Sequence, residues 1–338
     1  RSTDRERGRS DHDKDDLRRM TGGKPKIDIL LATYNGARFL PAQIDSILGQ
    51  TCEEWRLLVR DDGSTDATTE IIDRYAGQHP GRIEVIRDGR ANLGVVGNFS
   101  TLMERSDADY IMFCDQDDVW LPEKIAESHA AMQELELRYG SDTPLLVHTD
   151  LSVVDQDLKP IHRSFWRYQR LDPERARSLA PLLIQNVVTG CAAMANRRLK
   201  DMALPLPPDI RMHDWWLALV AAAFGCCDYV PRPLVLYRQH GANALGEKGW
   251  GLRRVVRLAL TAPFETLRAK RKVLRISQQQ AQRFLTSYGR TLSELNSHIV
   301  KNYAEIGEKG FIGRRLTIIR GGFWLTGTLK NLGLLVCI

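Results

Sequence analysis

The sequence predicts an α/β protein built on a doubly wound, mainly parallel sheet. Short apolar runs alternate with stretches of helical periodicity, the pattern of strands joined by crossover helices. One run, Tyr110-Ile111-Met112-Phe113-Cys114, is mostly apolar throughout, as a strand covered on both faces requires. It stops at Asp115, Asp117 and Asp118, and open α/β sheets hold their ligands outside such carboxyl ends.

Residues 1–24 mix Asp, Arg, Glu and Lys with few apolar side chains and read as a disordered charged arm. The first strand is Ile27 to Ala32, closed by the turn Thr33-Tyr34-Asn35-Gly36. Phe39, Ile44, Ile47 and Leu48 then follow at helical spacing. The second strand, Trp55 to Arg60, ends at Asp61-Asp62-Gly63-Ser64-Thr65-Asp66, where Ser64 or Asp66 suits the cap of a helix through Ile71, Ile72 and Tyr75. A third strand, Arg82 to Ile86, leads through Asn92-Leu93-Gly94 into a helix carrying Phe99, Leu102 and Met103.

Past the acids, Lys124 to Tyr139 reads as a helix, Leu145 to His148 as a strand, and Asn186 to Ala195 as a further apolar run. Met212-His213-Asp214-Trp215-Trp216 opens an apolar helix ending near Gly225. Pro233 to Tyr237 reads as a last strand, closed by Arg238-Gln239-His240-Gly241. These elements give one domain over residues 25–245 and a basic helical tail over 246–338.

Composition bounds what the chain does. The 338 residues are 43% hydrophobic, enough to bury a large core. The net charge of +6 is unevenly placed: residues 248–338 hold 17 basic and 4 acidic residues, or +13, which leaves −7 for the rest. Six cysteines show no C-x-x-C spacing and sit mostly in apolar runs, as reduced thiols of a cytosolic enzyme do. No apolar run reaches the roughly 18 residues of a spanning helix, so a cytoplasmic or membrane-surface protein is expected. From Leu252 to Phe284 basic residues (Arg253, Arg254, Arg257, Arg268, Lys270, Arg271, Lys272, Arg275) interleave with an apolar stripe. That pattern fits a helix lying on an anionic membrane at the inner face, with a plain solvated helical face as the alternative. No nucleic-acid motif accompanies the charge, and nucleic acid is not expected as a partner.

Three acids within four residues repel one another unless a cation offsets them, and oxygen ligands favour Mg²⁺ or Mn²⁺ over zinc. The same acids also suit a plain cap, with Asp118 opening the helix near Pro122. No G-x-G-x-x-G follows the first strand, which removes a dinucleotide-dependent oxidoreductase. A haloacid-dehalogenase-like phosphotransferase would use Asp115 and Asp117, but it leaves Asp61 and Asp62 unexplained and needs its nucleophile on the first strand.

The chain resembles the inverting family-2 glycosyltransferases, which have the GT-A nucleotide-sugar fold. The resemblance rests on Leu31-Ala32-Thr33-Tyr34-Asn35, Ile47-Leu48-Gly49-Gln50-Thr51, Asp61 to Asp66, Asn92-Leu93-Gly94, Asp115 to Pro122 and His213-Asp214-Trp215-Trp216, and covers about residues 26–245. It implies a nucleobase pocket lined by Thr33, Tyr34 and Asp62, with Asp62 accepting from a pyrimidine N3–H. It places Asn35 and Asn92 among the substrate contacts, Asp115 at the ribose, and the metal of the donor diphosphate on Asp117. Asp214 looks like the catalytic base, Trp215 a lining of the acceptor cleft, Arg238 a phosphate partner and His240 a second metal or diphosphate contact. His213 to Trp216 together with Tyr237 to Gly241 are similar to the bacterial rhamnosyltransferase branch. That branch implies transfer of L-rhamnose from dTDP-L-rhamnose to a saccharide or lipid-linked acceptor of a surface polysaccharide. A UDP-hexose or UDP-N-acetylhexosamine donor is the alternative within the same fold. The Gln-x-x-Arg-Trp motif of the processive synthases is missing.

Overall fold

The computed structural model describes residues 27–240 and 263–338. The charged arm, the loop after His240 and the basic segment with Arg253, Arg254 and Arg257 lie outside the described residues. The first half is the expected alternation. Strands β1 (Ile27–Thr33), β2 (Trp55–Asp61), β3 (Ile83–Val85) and β4 (Tyr110–Asp115) pair in parallel, in the order β3-β2-β1-β4. Helices α1 (Leu40–Leu48), α2 (Thr68–Gln78) and α3 (Gly94–Arg105) make the crossovers.

Alternate strand residues feed two apolar layers, which is why these strands read as continuously apolar. Ile29, Leu31, Leu57, Val59, Met112 and Cys114 join a core with Leu40, Ile44 and Ile47 of α1. Leu30, Leu58, Ile111 and Phe113 join the opposite core with Phe99, Leu102 and Met103 of α3. Every strand of this half therefore ends at one edge of a rigid slab, and Asp61, Asp62 and Asp115 are carried there.

The second half mixes directions. After β5 (Val119–Trp120) and α4 (Lys124–Tyr139) come β6 (Leu145–Asp155), β7 (Pro160–His162), α5 (Phe165–Gln169), α6 (Leu179–Ile184), β8 (Ala193–Asn196), α7 (Arg197–Ala203), α8 (His213–Phe224) and β9 (Cys226–Gln239). The sheet continues β4-β8-β6-β9-β5, with β8 antiparallel to both β4 and β6, and β9 parallel to β6. The long strands thus still run in one direction, with β8 inserted against them.

Strand β9 is longer than the sequence suggests. Pro231 and Pro233 interrupt the ladder and disguise its first half, and the pairing absorbs them with register shifts at Thr149/Asp150 and Asp150/Ser152 of β6. Gly225 ends α8 because no side chain fits there: a Cβ would lie 1.9 Å from the Pro144 carbonyl.

Helix α9 (Pro263–Tyr288) turns Leu274, Ala281 and Phe284 into the core, and Phe284 meets Trp216 edge-on at 5.4 Å. Of the expected apolar stripe, Leu274 is thus turned to the protein interior, while Val273 beside it is exposed. Helices α10 (Glu294–Ala304), α11 (Phe311–Gly321) and α12 (Thr328–Cys337) add Tyr303, Ile318 and Leu334 to the same core. Fully burying side chains of this size contributes roughly 1.5–3 kcal/mol each.

His148 on β6 is fully buried, and neither ring nitrogen has a hydrogen-bond partner. Burial pushes its pKa down to about 3. The folded state therefore holds the neutral ring while the unfolded chain takes up a proton below about pH 6.5, so this residue's contribution is intact above that value and lost as pH falls toward 3. His148→Phe is expected to gain about 2 kcal/mol relative to the parent between pH 7.5 and pH 5. Paired denaturant melts at the two pH values check this, and an equal difference at both contradicts it.

Candidate active site

The turn after β4 is held by its neighbours rather than by its own helix. Gln116 makes a two-point contact with the backbone of Tyr34, accepting from its N–H and donating to its carbonyl, both at 2.9 Å. Asp118 is fully buried and does not cap α4, whose N-cap Glu123 has no side-chain hydrogen bond. Its Oδ1 accepts the Arg238 backbone N–H at 3.0 Å, and its Oδ2 has no hydrogen-bond partner.

Arg238, the expected phosphate partner, is buried, and its guanidinium donates to the carbonyls of Asp117 and Gln156, both at 2.6 Å. It braces the acidic turn. The two expected metal ligands are brought together: His240 Nε2 and Asp117 Oδ2 are 2.8 Å apart, with the imidazole against Phe39 at 4.7 Å.

The loops after β1 and β2 are knitted by Asp61 and Asn35. Asp61 accepts from the N–H groups of Gly63 and Ser64 and from the Thr33 hydroxyl at 2.9 Å. Thr33 is thus a buried latch, and its hydroxyl is not offered to a base. Asn35, at φ 48°, accepts from Thr65 N–H, while Tyr34 stands half exposed at the rim. Asp62 accepts from Arg60 at 3.0 Å and from the N–H groups of Leu93 and Gly94 at 2.9 and 2.8 Å. Its carboxylate therefore anchors the start of α3, and one acceptor position, on Oδ2, is left for a base. Asn92, at φ 58°, contributes its backbone N–H to the Asp62 carbonyl.

The sequence reading missed Arg60. Its guanidinium is wholly buried among Asp62, Asp88, Asn98 and the Arg90 carbonyl. Burial alone would lower it, but the hydrogen bonds and charges of Asp88 and Asp62 more than offset that and hold it raised. Nothing in an arginine on a strand announces such a hub; only the acids around it hint at one.

Asp214 sits in the first turn of α8, past the N-cap Met212. Its Oδ1 accepts from Asn186 at 3.1 Å and from the Trp215 N–H, and its Oδ2 accepts from the Gly190 N–H at 2.9 Å. Gly190 is required by this approach, since a Cβ there would lie 2.9 Å from His213 Nε2. Burial pushes Asp214 up to about 6, against the pull of those donors. Asp115 is pushed up to about 7, first by burial and then by the charges of Asp117 and Asp214. Asp118 is raised well above its usual range by burial and then by the charges of Asp117 and Asp115.

The donor set fits a hard divalent cation. Carboxylate oxygens of Asp115 and Asp118 and the Cys191 sulfur lie within 4.8 Å of one another. Burial keeps the Cys191 thiol protonated, which leaves the oxygens as the ligands a hard ion would take. Asp214 also lines a cavity of about 320 Å³, together with Trp215, Asn186, Phe165, Tyr237, Arg211 and Lys330 among others. Trp215 lines it while donating its indole N–H to the Leu182 carbonyl, whereas Trp216 is wholly core.

Among proteins of known sequence, an uncharacterised glycosyltransferase of Nostoc sp. is 28% identical over 226 residues, which is 64% of this chain and 66% of that one. The dTDP-rhamnosyl transferase RfbG of Shigella flexneri is 26% identical over 227 residues, 64% of this chain and 73% of that one. Among solved structures, S. aureus TarS 1-349 in complex with UDP-GlcNAc superposes with a TM-score of 0.55 at 14% identity, covering 92% of this chain and 78% of that one. This likeness shows the GT-A fold. Residues 28–198, just over half of the chain, match the family model for glycosyl transferase family 2, and the protein belongs to that family.

Proposed function

We propose that the protein is an inverting, metal-dependent glycosyltransferase that moves a sugar from a nucleoside diphosphate to a saccharide or lipid-linked acceptor in bacterial surface polysaccharide synthesis. One observation carries this reading. Asp214 is near enough to Asp115 for its charge to act on that carboxylate, and it also lines the cavity. A base is thus shared by a carboxylate cluster suited to a diphosphate and a cavity suited to an acceptor.

Asp214 Oδ2 has an acceptor position beyond the Gly190 N–H, and there it takes the proton of the attacking hydroxyl. Asn186 and Gly190 orient the carboxylate toward that hydroxyl. Asp117, with Asp115 and Asp118 beside it, would hold Mg²⁺ or Mn²⁺, and His240 is the neighbouring ligand. A cation held there would supply charge neutralisation for the departing nucleoside diphosphate. Asp62 Oδ2 and Tyr34 line the base-binding edge. L-rhamnose from dTDP-L-rhamnose is the favoured donor, supported by the run from His213 to Trp216 and by the likeness to RfbG.

Asp214→Asn is expected to lower kcat roughly 100- to 10,000-fold, the span of general-base catalysis, while nucleotide binding in Mn²⁺ is retained. Asp117→Ala is expected to abolish metal-dependent nucleotide binding. Transfer assays and calorimetry on both variants check this, and full activity in either contradicts its assignment.

The pH profile follows from the raised base. Asp214 is protonated and idle below about pH 6, so kcat should rise about tenfold per unit up to that value and level off above it. A rate constant flat between pH 4.5 and about pH 8 would remove Asp214 from the proton transfer.

A further inference from the structure

Two of the C-terminal helices carry exposed apolar residues beside those they turn to the core. On α11, Ile318 points inward, while Phe311 and Ile312 are each 70% exposed, Ile319 49% and Leu316 40%. At 100° per residue these four span about 140°, the arc that a globular helix ordinarily turns to its core. On α12, Leu334 and Cys337 point inward, while Leu329, Leu332 and Val336 are exposed at i, i+3 and i+7 spacing. Residues 309–338 carry five cations, Lys309, Arg314, Arg315, Arg320 and Lys330, and no carboxylate.

We propose that α11 and α12 form a docking surface for an anionic lipid bilayer. Exposed apolar residues beside cations and without acids complement a negatively charged interface. Arg315 lies over the Phe311 ring at 3.4 Å, an arrangement that lets the ring enter the headgroup layer while the charge stays at phosphate depth. A second copy of the chain fits less well. A two-fold interface sets the same patch against itself, and here that would bring cation against cation with no carboxylate between them.

The surface adjoins the acceptor cavity through one helix. Lys330 of α12 lines that cavity and donates to the Gln169 carbonyl at 3.0 Å, and Leu329 beside it is exposed. A lipid-linked acceptor would be reached from the bilayer on which the helix rests. That link rests on the proposed sugar transfer, whereas docking itself is measured without turnover.

The test uses the full chain and vesicles of phosphatidylcholine, with or without about one-third phosphatidylglycerol, at roughly physiological salt. The parent is expected to sediment with the anionic vesicles and not with the neutral ones. Each of the pairs Ile312→Glu with Leu316→Glu, and Arg315→Glu with Arg320→Glu, should weaken that binding at least tenfold, about 1 kcal/mol being the usual contribution of each cation near such a surface. Melting temperature and Mn²⁺-dependent nucleotide binding, measured in parallel, should stay at parent values, which separates lost docking from lost folding or a lost active site. The proposal is overturned if the parent ignores anionic vesicles, or if both pairs bind like the parent. It is also overturned if analytical ultracentrifugation shows a parent dimer that the Ile312/Leu316 pair dissociates.

Discussion

Four carboxylates share one poorly solvated corner of the molecule, and their mutual repulsion is the constraint around which the site is built. Asp115, Asp117 and Asp118 arrive on the turn after β4, and Asp214 arrives on α8. Burial raises Asp115, Asp118 and Asp214, and neighbouring carboxylate charge raises Asp115 and Asp118 further. Such a corner is stable with protons on some of its oxygens, or with a cation among them. Burial and charge favour protons on these oxygens in the free protein, and in the proposed enzyme a metal with a diphosphate would take their place.

Holding the acids in place takes a scaffold of donors whose own charges are fully engaged. Arg238 gives its backbone N–H to Asp118 and its guanidinium to the carbonyls of Asp117 and Gln156. Arg60 does the equivalent work one strand over, fixing Asp62 and the loop of Asp88. Removing either side chain would leave buried acceptors without partners, at a cost of roughly 1–3 kcal/mol for each orphaned group and more for a charged one. The site is therefore rigid where it meets the sheet and open toward Tyr34 and the cavity beside Asp214.

The fold was legible because parallel strands buried on both faces leave continuous apolar runs, and because each run stopped at Asp, Asn or Gly. Strand β9 was read short because its prolines look like a boundary, and the register shifts that accommodate them are a property of the partner strand. Asp214 and Asp117 stood out as acids at element ends. Thr33, Asp62 and Arg238 also stood out, but sequence does not reveal which groups a side chain satisfies inside the protein, and much of their bonding capacity is used there. Gly190 and Asn186, which orient Asp214, lie 24 and 28 positions before it and carry no local signal. The apolar stripe of α9 and the exposed stripe of α11 look alike in one dimension; only packing against Trp216 tells core from surface.

The proposed site depends on a carboxylate corner where burial favours a proton until a cation takes its place. Calorimetric titration of Mn²⁺ with a nucleoside diphosphate at about pH 6.5, repeated in buffers of different ionisation enthalpy, counts the protons that leave on binding. The account predicts a net release on the order of one proton beyond that of the nucleotide and metal alone, lost in Asp115→Asn. Tight metal-dependent binding with no proton released would contradict it.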